Sequence, residues 1–312
     1  MTAIRQMLES DLEKVLALLE ATFPYDTFSK EWWDWKYRRN PCGTAILLVA
    51  EEGSEIIGLR AFWPRIFVKS GEQQTVYQAT DTAVHPGARR RGIFSSLTKK
   101  GLALVRSRGG KAIFNFPNPK SAPGYLKLGW KDAGKLSWWV RMIPGSGIRK
   151  APLKCTSVSA EHSFPASDTI RTGFLKDSEF VRWRYEDHPS HTYEFWDMEG
   201  AGAGTTVVTR KIRRKGIHIR VLIDMLGESA SDPVEARRLL SQMTKRIPTT
   251  PFHPLCVLDS SFAQATAATF LRKFYFRVPD SGVNYYVREC GDHDLSRALS
   301  KTAIVPGDTD TF

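Results

Sequence analysis

Between residues 45 and 116 the hydrophobic pattern changes period twice, and this restricts the fold more than any other feature of the sequence. AILLVAEE (45–52), IIGLRAFWPRIFV (56–68) and TVYQATDTAV (75–84) are strand-like runs separated by turns at Gly53-Ser54 and Gly71. Such runs predict an antiparallel meander. At IFSSLTKKGLALVRS (93–107) the period lengthens to that of a helix, with Leu97, Leu102 and Val105 inward. AIFNF (112–116) returns to a short apolar run, the pattern of a buried strand. A meander followed by a helix and a further strand predicts an α+β fold, with helices covering a mostly antiparallel sheet.

The flanking segments fit that plan. Ile4 to Met7 reads as a first strand, and Ser10 or Asp11 can cap a helix carrying Leu12, Val15, Leu16, Leu19 and Phe23. Ser29 can cap a second, aromatic helix with Trp32, Trp33, Trp35 and Tyr37 that stops near Asn40-Pro41. Pro123 to Leu128 reads as a short helix closed by Gly129, and LSWWVRMI (136–143) as a final strand. The first domain is therefore placed at 1–145, and a Gly-, Pro- and basic-rich linker at 146–163. KEWWDWKYRRNP (30–41) aligns without gaps to SEFVRWRYEDHP (178–189). Strand-like, helical and strand-like segments follow the second copy in the order of the first half, including helices expected over 233–247 and 267–274. The repeat predicts tandem domains of one fold, each a mostly antiparallel mixed sheet flanked by helices, the second over 164–290. Residues 291–312 read as a flexible tail.

Charge divides unevenly. Residues 1–150 carry 24 Lys+Arg against 13 Asp+Glu, whereas 151–312 carry 21 against 20. The positive field of the first half suits nucleic acid, an anionic membrane face, a nucleotide cofactor or a nucleotide-linked substrate, and charge alone does not choose among them. No apolar run approaches the ~20 residues of a membrane span, which points to a cytoplasmic protein. The four cysteines are dispersed and form no C-x-x-C pair. Small reduced side chains and no metal site are the expectation.

Two segments carry chemistry. HPGARRRGIFSSL (85–97) lies where a strand hands over to a helix. The first N–H groups of a helix lack internal partners and sit at the positive end of its dipole. A pyrophosphate can rest there, with Arg89, Arg90 and Arg91 adding charge and Gly92 letting the backbone approach. The same residues also suit a solvated surface. NPKSAPGYLKLGW (118–130) places Asn118, Tyr125 and Gly129 at spacings of 7 and 4. By themselves Asn118 reads equally as a helix cap and Tyr125 as a packing residue.

Together these segments resemble the GNAT superfamily of N-acyltransferases over residues 1–145. The stretch 79–97 is similar to its Q/R-x-x-G-x-G/A acyl-CoA signature, with Arg89 and Gly92 in the first two fixed places. Phe94 departs from the pattern, standing where the family has Gly or Ala. The stretch 118–130 resembles the following N-x6-Y-x3-G-F motif, with Trp130 for Phe. The resemblance implies acetyl-CoA or another acyl-CoA as co-substrate and direct attack by a primary amine in a ternary complex. It implies that backbone groups of Thr82, Ala83 and Val84 hold pantetheine and polarise the thioester carbonyl. The turn and helix start at Arg89, Arg90, Arg91, Gly92, Ile93, Phe94 and Ser95 would hold pyrophosphate. Asn118 would touch the pantetheine arm, and Tyr125 would protonate the departing thiolate. An amine acceptor arrives as an ammonium of pKa about 10.4 and must lose a proton. Asp81, on the strand just before the turn, is the candidate to orient it or accept that proton, with Gln78 and His85 as rivals and a structural cap as the other reading.

The second half lacks such a turn, since GESASDPVEARR (227–238) is acidic to neutral, so the second domain is expected to be degenerate. FNFPNPKSAPGYLKLGWKDAG (114–134), together with the paired W-[KR]-Y helices, resembles bacterial two-domain GNAT proteins found with exopolysaccharide or capsule genes, which implies an amino sugar or nucleotide-linked sugar as acceptor. Two alternatives stay open. One is a Fem-type transferase using aminoacyl-tRNA, against which the intact turn and neutral second half argue, so no nucleic-acid partner is expected. The other is a non-enzymatic acyl-CoA sensor.

Overall fold

The structure, a computed structural model, describes residues 2–24, 27–141, 155–156, 172–197, 205–214, 216–227, 238–243, 255–259, 275–279, 281–302 and 304–309. It divides into two compact units. Unit 1 takes Met1–Ala133 and Tyr285–Ser300, and unit 2 takes Gly134–Asn284 and Lys301–Phe312.

In unit 1, β1 (Ala3–Gln6), β2 (Ile46–Glu52), β3 (Glu55–Lys69) and β4 (Glu72–Val84) pair antiparallel in that order. Then β5 (Ala112–Asn115) joins β4 in parallel. A parallel join needs a crossover, and the helix α3 (Ile93–Ser107) supplies it. Ile93, Leu97, Leu102 and Val105 of α3 are buried against Leu48, Phe62 and Ile113. The helix α1 (Leu12–Thr22) belongs to a separate core with Leu59, Ala61 and Ala83. Each such aliphatic side chain removed from water contributes about 1.5–3 kcal/mol.

The aromatic helix is not one regular helix. A single turn, α2 (Lys30–Trp33), capped by the Ser29 hydroxyl, runs into a π-helical turn at Asp34–Arg38. The wider turn is closed by Arg39 N–H donating to Asp34 O at 2.9 Å. The Lys36 carbonyl is taken by the Trp63 indole N–H at 2.9 Å. A side chain entering the helical ladder in this way is a common cause of a π-bulge.

Unit 2 repeats these features. Following β6 (Lys131–Arg141), β7 (Cys155–Thr156) and β8 (Thr172–Phe174), a short helix α5 (Ser178–Val181) capped by Asp177 runs into a π-turn at Arg182–Glu186; the helix α4 (Ala122–Lys127) belongs to unit 1. Strands β9 (Glu194–Asp197), β10 (Thr206–Arg214) and β11 (Ile217–Leu226) form an antiparallel meander. Helix is described at 238–243, within the 233–247 expected from sequence, and β12 (Leu255–Asp259) lies parallel to β11. The helix expected at 267–274 lies outside the described residues, as does the linker at 146–163 except for 155–156.

Two expectations from sequence need correcting. The strand over 136–143 does not complete the sheet of the first half, because Ser137–Arg141 pair with β12 in unit 2. The place beside β5 in unit 1 is filled from far down the chain by β14 (Val283–Glu289), whose Tyr286–Glu289 run antiparallel to Asn115–Ala112; the short β13 (Phe276–Arg277) pairs with β6 in unit 2. Each unit thus takes its last strand from the other half of the sequence. Nor is the stretch read as a flexible tail, 291–312, without regular structure in its described residues. His293–Ser300 is a helix with Leu295 and Leu299 fully buried, and the Tyr285 hydroxyl donates to Leu299 O at 2.7 Å. Leu295 and Leu299 are one helical turn apart, so they share the face that packs.

One histidine gives unit 2 an acid sensitivity. His191 stacks on His188 with ring centroids 4.1 Å apart. Burial, assisted by the Arg210 and Arg184 charges, holds it down at about 4 from an ordinary 6.5. The unfolded chain then binds this proton first as pH falls. Its contribution is whole above pH 6.5 and is lost progressively toward pH 4. Because the ring is partly exposed, the loss should not exceed about 2 kcal/mol. Urea melts at pH 7 and pH 4.5 should show it, and His191→Gln should shrink the difference between them.

Candidate functional site

The pairing of β4 with β5 is short. Only Tyr77↔Ile113 and Gln78↔Phe114 face each other, while β4 continues six residues further to Val84. The backbone of residues 79–84 on that side therefore has no strand partner from β5. Toward β3 the same stretch is irregular. Ala61 faces Thr80 and Leu59 faces Ala83, so Asp81 and Thr82 together oppose Arg60. This is a β-bulge, and Asp81 takes a positive φ of 40° within it. Bulges re-aim side chains, and here the two re-aimed are Asp81 and Thr82.

After Val84 the chain turns through Pro86–Ala88, with the His85 ring accepting from Gly87 N–H. Arg90 adopts φ 63° and Gly92 φ 77°, and Gly92 is the N-cap of α3. Its left-handed conformation suits glycine, and a Cβ there would meet nothing within 4 Å, so the surface over it is open. No side chain caps α3. The first helical bond is Ser96 N–H to Gly92 O, leaving the amides of Ile93, Phe94 and Ser95 without carbonyl partners in the helix. The three arginines differ. Arg89 donates from Nε to the Val84 carbonyl at 3.3 Å, Arg91 is paired with Glu52, and Arg90 is exposed.

Asn118 and Tyr125 are brought toward the same end of the sheet by β5 and α4, but they differ in how committed they are. The Asn118 side-chain oxygen accepts from Lys120 N–H at 3.0 Å and Ser121 N–H at 2.9 Å, so that oxygen caps the turn leading into α4. Tyr125 is buried against Phe94 and Trp130, with ring centroids 5.2 and 5.1 Å away. Its hydroxyl lies 3.4 Å from Thr82 Oγ1 and 2.5 Å from Arg60 Nη1, which donates to it. The phenol thus meets the bulge at the unpaired end of β4. Arg288, on β14, donates to the Leu128 carbonyl at the end of α4 and stacks over Trp130 at 5.2 Å.

Asp81 is not an isolated carboxylate. Its Oδ2 is 2.6 Å from Lys36 Nζ and also accepts from the Tyr37 hydroxyl. Lys36 is buried among Trp32, Tyr37 and Trp63, with its ammonium 5.0 to 5.8 Å from their ring centroids. Unit 2 contains the counterpart. The Tyr185 hydroxyl donates to Asp224 Oδ2 at 2.5 Å, and Lys176 pairs with Asp224 at 2.8 Å and Asp308 at 3.0 Å. Asp224 lies on β11, the strand that pairs in parallel with its neighbour as β4 does in unit 1. There the carboxylate is sealed at 1 % side-chain exposure, against 14 % for Asp81. Of the rivals to Asp81, Gln78 is buried and His85 is exposed. Lys36, Tyr37 and Arg60 were not foreseen from sequence, although the repeated W-[KR]-Y pattern marked the first two.

Among the described residues no cluster of His, Cys, Asp or Glu is arranged to hold a metal, and no helix is long and apolar enough to cross a membrane. Residues 3–133 match the acetyltransferase (GNAT) domain family. Several solved structures share the fold at low identity. A GCN5-related N-acetyltransferase from Anabaena variabilis superposes with a TM-score of 0.64 at 12 % identity, over 93 % of this chain and 73 % of that one. Eis1 from Mycobacterium abscessus gives 0.60 at 14 % identity over 93 % and 74 %, and a GCN5-related N-acetyltransferase from Kribbella flavida gives 0.58 at 13 % over 93 % and 71 %. No curated protein matches the sequence.

Proposed function

We propose that this chain, whose residues 3–133 form a domain of the GNAT superfamily, transfers an acyl group from an acyl-CoA, acetyl-CoA above all, to a primary amine. The observation that carries this reading is the convergence at Thr82. The unpaired end of β4 leads through the turn to the uncapped start of α3, and the buried Tyr125 hydroxyl approaches that end of β4 at Thr82, 3.4 Å away. The backbone of Thr82, Ala83 and Val84 is available to an extended pantetheine and to the thioester oxygen. The amides of Ile93, Phe94 and Ser95, with Gly92 and the exposed Arg90, suit the pyrophosphate. Arg89 supports the turn from Val84, and Arg91 is held by Glu52 at its edge. Asn118 orders the turn before α4 through its side-chain oxygen, and in this reading its amide nitrogen is the group that meets the pantetheine arm.

In the reaction so assigned, the amine nitrogen attacks the thioester carbon and Tyr125 protonates the departing sulfur. Asp81 orients the incoming amine, with Lys36 and Tyr37 fixing its carboxylate in the bulge. The repeated strand order and the second Tyr–Asp pair support descent of both units from one fold. Unit 2 serves in this reading as a degenerate copy without a cofactor turn. An amino sugar is one acceptor class to try first. Incubation with acetyl-CoA and a panel of amines, read by thiol release, tests the proposal, and thiol release that no amine stimulates would defeat it.

The phosphate turn gives its own prediction. Val at position 92 must adopt the left-handed conformation, costing about 1–2 kcal/mol, or distort the first turn of α3. Gly92→Val should therefore weaken CoA binding by about tenfold or more, equivalent to about 1.4 kcal/mol. Calorimetry with CoA on the folded variant is the measurement, and unchanged affinity would remove this turn from the site.

A further inference from the structure

Arg60 sits in the middle of β3 and is fully buried. A buried guanidinium ordinarily faces a carboxylate, because an unpaired charge is expensive to desolvate. Here no carboxylate pairs with it among the described residues, and its Nε and Nη2 have no hydrogen-bond partner. Nη1 makes both of its hydrogen bonds, one to the Thr82 hydroxyl and one to the Tyr125 hydroxyl at 2.5 Å. The rest of its surroundings are aromatic, with its central carbon 4.7 Å from the Phe62 centroid, 5.1 Å from Tyr125 and 5.8 Å from Phe94. Ring faces offset part of the lost hydration of a cation.

The direction of these bonds has a chemical consequence. Because Arg60 donates, the Tyr125 oxygen accepts, and its own O–H must point elsewhere. Its one other hydrogen-bonding contact among the described residues, Thr82 Oγ1, is 3.4 Å away, too far for a good O–H···O bond. The phenol proton is therefore left for a ligand. When that proton departs, the negative charge left on the oxygen lies beside a guanidinium in a water-poor setting, where a charge-assisted bond is strong.

We propose that Arg60 is a positioning residue for acyl transfer, turning the Tyr125 proton toward the leaving sulfur and holding the charge that remains on the phenol oxygen. This rests on the acyltransferase reading above. In the step itself the amine nitrogen forms the new C–N bond and the C–S bond breaks with its electron pair on sulfur. Sulfur takes the Tyr125 proton, and the phenolate regains one from the proton that the nitrogen sheds through solvent water. The proposal also accounts for Phe94, the residue that departs from the CoA signature. Phe94 packs edge-on to Tyr125 and faces Arg60, and it fits because position 124 is glycine: a Cβ there would lie 2.9 Å from the Phe94 ring.

The test uses the full-length protein with acetyl-CoA and the best amine of the panel. Arg60→Met should lower kcat by roughly 10- to 100-fold, the worth of a hydrogen bond to a charged group, with KM for acetyl-CoA changed by less than about threefold. Arg60→Lys, which restores the charge, should recover part of that loss. In a Tyr125→Phe background Arg60→Met should cost nothing more, because Arg60 acts through the hydroxyl. A folded Arg60→Met protein with kcat within threefold of wild type, or one whose loss is undiminished in the Tyr125→Phe background, overturns the proposal. If Arg60→Met does not fold, Arg60→Gln takes its place under the same two criteria. A protein whose turnover is unaffected by Tyr125→Phe fails at the underlying reading instead, and so tells the two failures apart.

Discussion

Tyr125→Phe should lower turnover with acetyl-CoA by roughly 10²–10⁴-fold, the range typical of a general acid, while CoA affinity stays within about threefold. The separation between the two numbers is the informative part. The Tyr125 ring packs between Phe94 and Trp130, and phenylalanine preserves both contacts. Only the hydroxyl is lost, together with its bond to Arg60 and its approach to Thr82. A residue present for packing alone would leave kcat untouched. Steady-state kinetics paired with calorimetry on the same preparations distinguish the cases, and unchanged turnover would reduce Tyr125 to a core residue.

A chain cut after residue 145 should not fold, although residues 3–133 match the acetyltransferase (GNAT) domain family. Unit 1 includes Tyr285–Ser300. Without them β5 loses its antiparallel neighbour, Phe116 loses the Tyr285 ring stacked on it at 5.5 Å, and α4 loses the Arg288 bond at its end. An apolar strand with an unpaired edge is a template for aggregation. The expected result is insoluble or molten material without CoA binding. A second protein, in which residues 281–300 follow residue 133 through a flexible Gly/Ser linker, should recover a cooperative melt. A 1–145 fragment that is soluble, cooperatively folded and binds CoA would show the exchanged strand to be dispensable.

Much of unit 1 was legible in the sequence because its signals are local. The alternation over 45–84, the change of period at 93 and the glycine before α3 each act within a few residues. What escaped was long-range. The strand over 136–143 reads the same whether it pairs with β5 or with β12, since period 2 reports a strand and not its neighbour. Arg60 lies in a run whose only other charge is Arg65, where a charge suggests exposure, and only the tertiary structure reveals it to be buried under Tyr125. Asp81 was visible as a carboxylate next to the turn, but its partners Lys36 and Tyr37 come 45 and 44 residues earlier. The repeated W-[KR]-Y segment pointed to them without saying what they touch. The helix at His293–Ser300 was missed because two buried leucines in eight residues make a weak pattern.

The exchange of strands also sets a schedule for synthesis. A ribosome releases the chain from its N-terminus, and a domain contiguous in sequence can close as soon as its own residues have emerged. Unit 1 cannot. Its sheet stays open at β5 until Tyr286–Glu289 appear, some 170 residues after β5 itself. Throughout that interval the apolar edge and the phenol above it await a partner that has not yet been made. Nascent-chain proteolysis should find residues 112–130 cleavable until almost the whole of this sequence has left the tunnel. The candidate acid and the strand that braces its helix would then become protected together, which places the maturation of the site among the last events of folding.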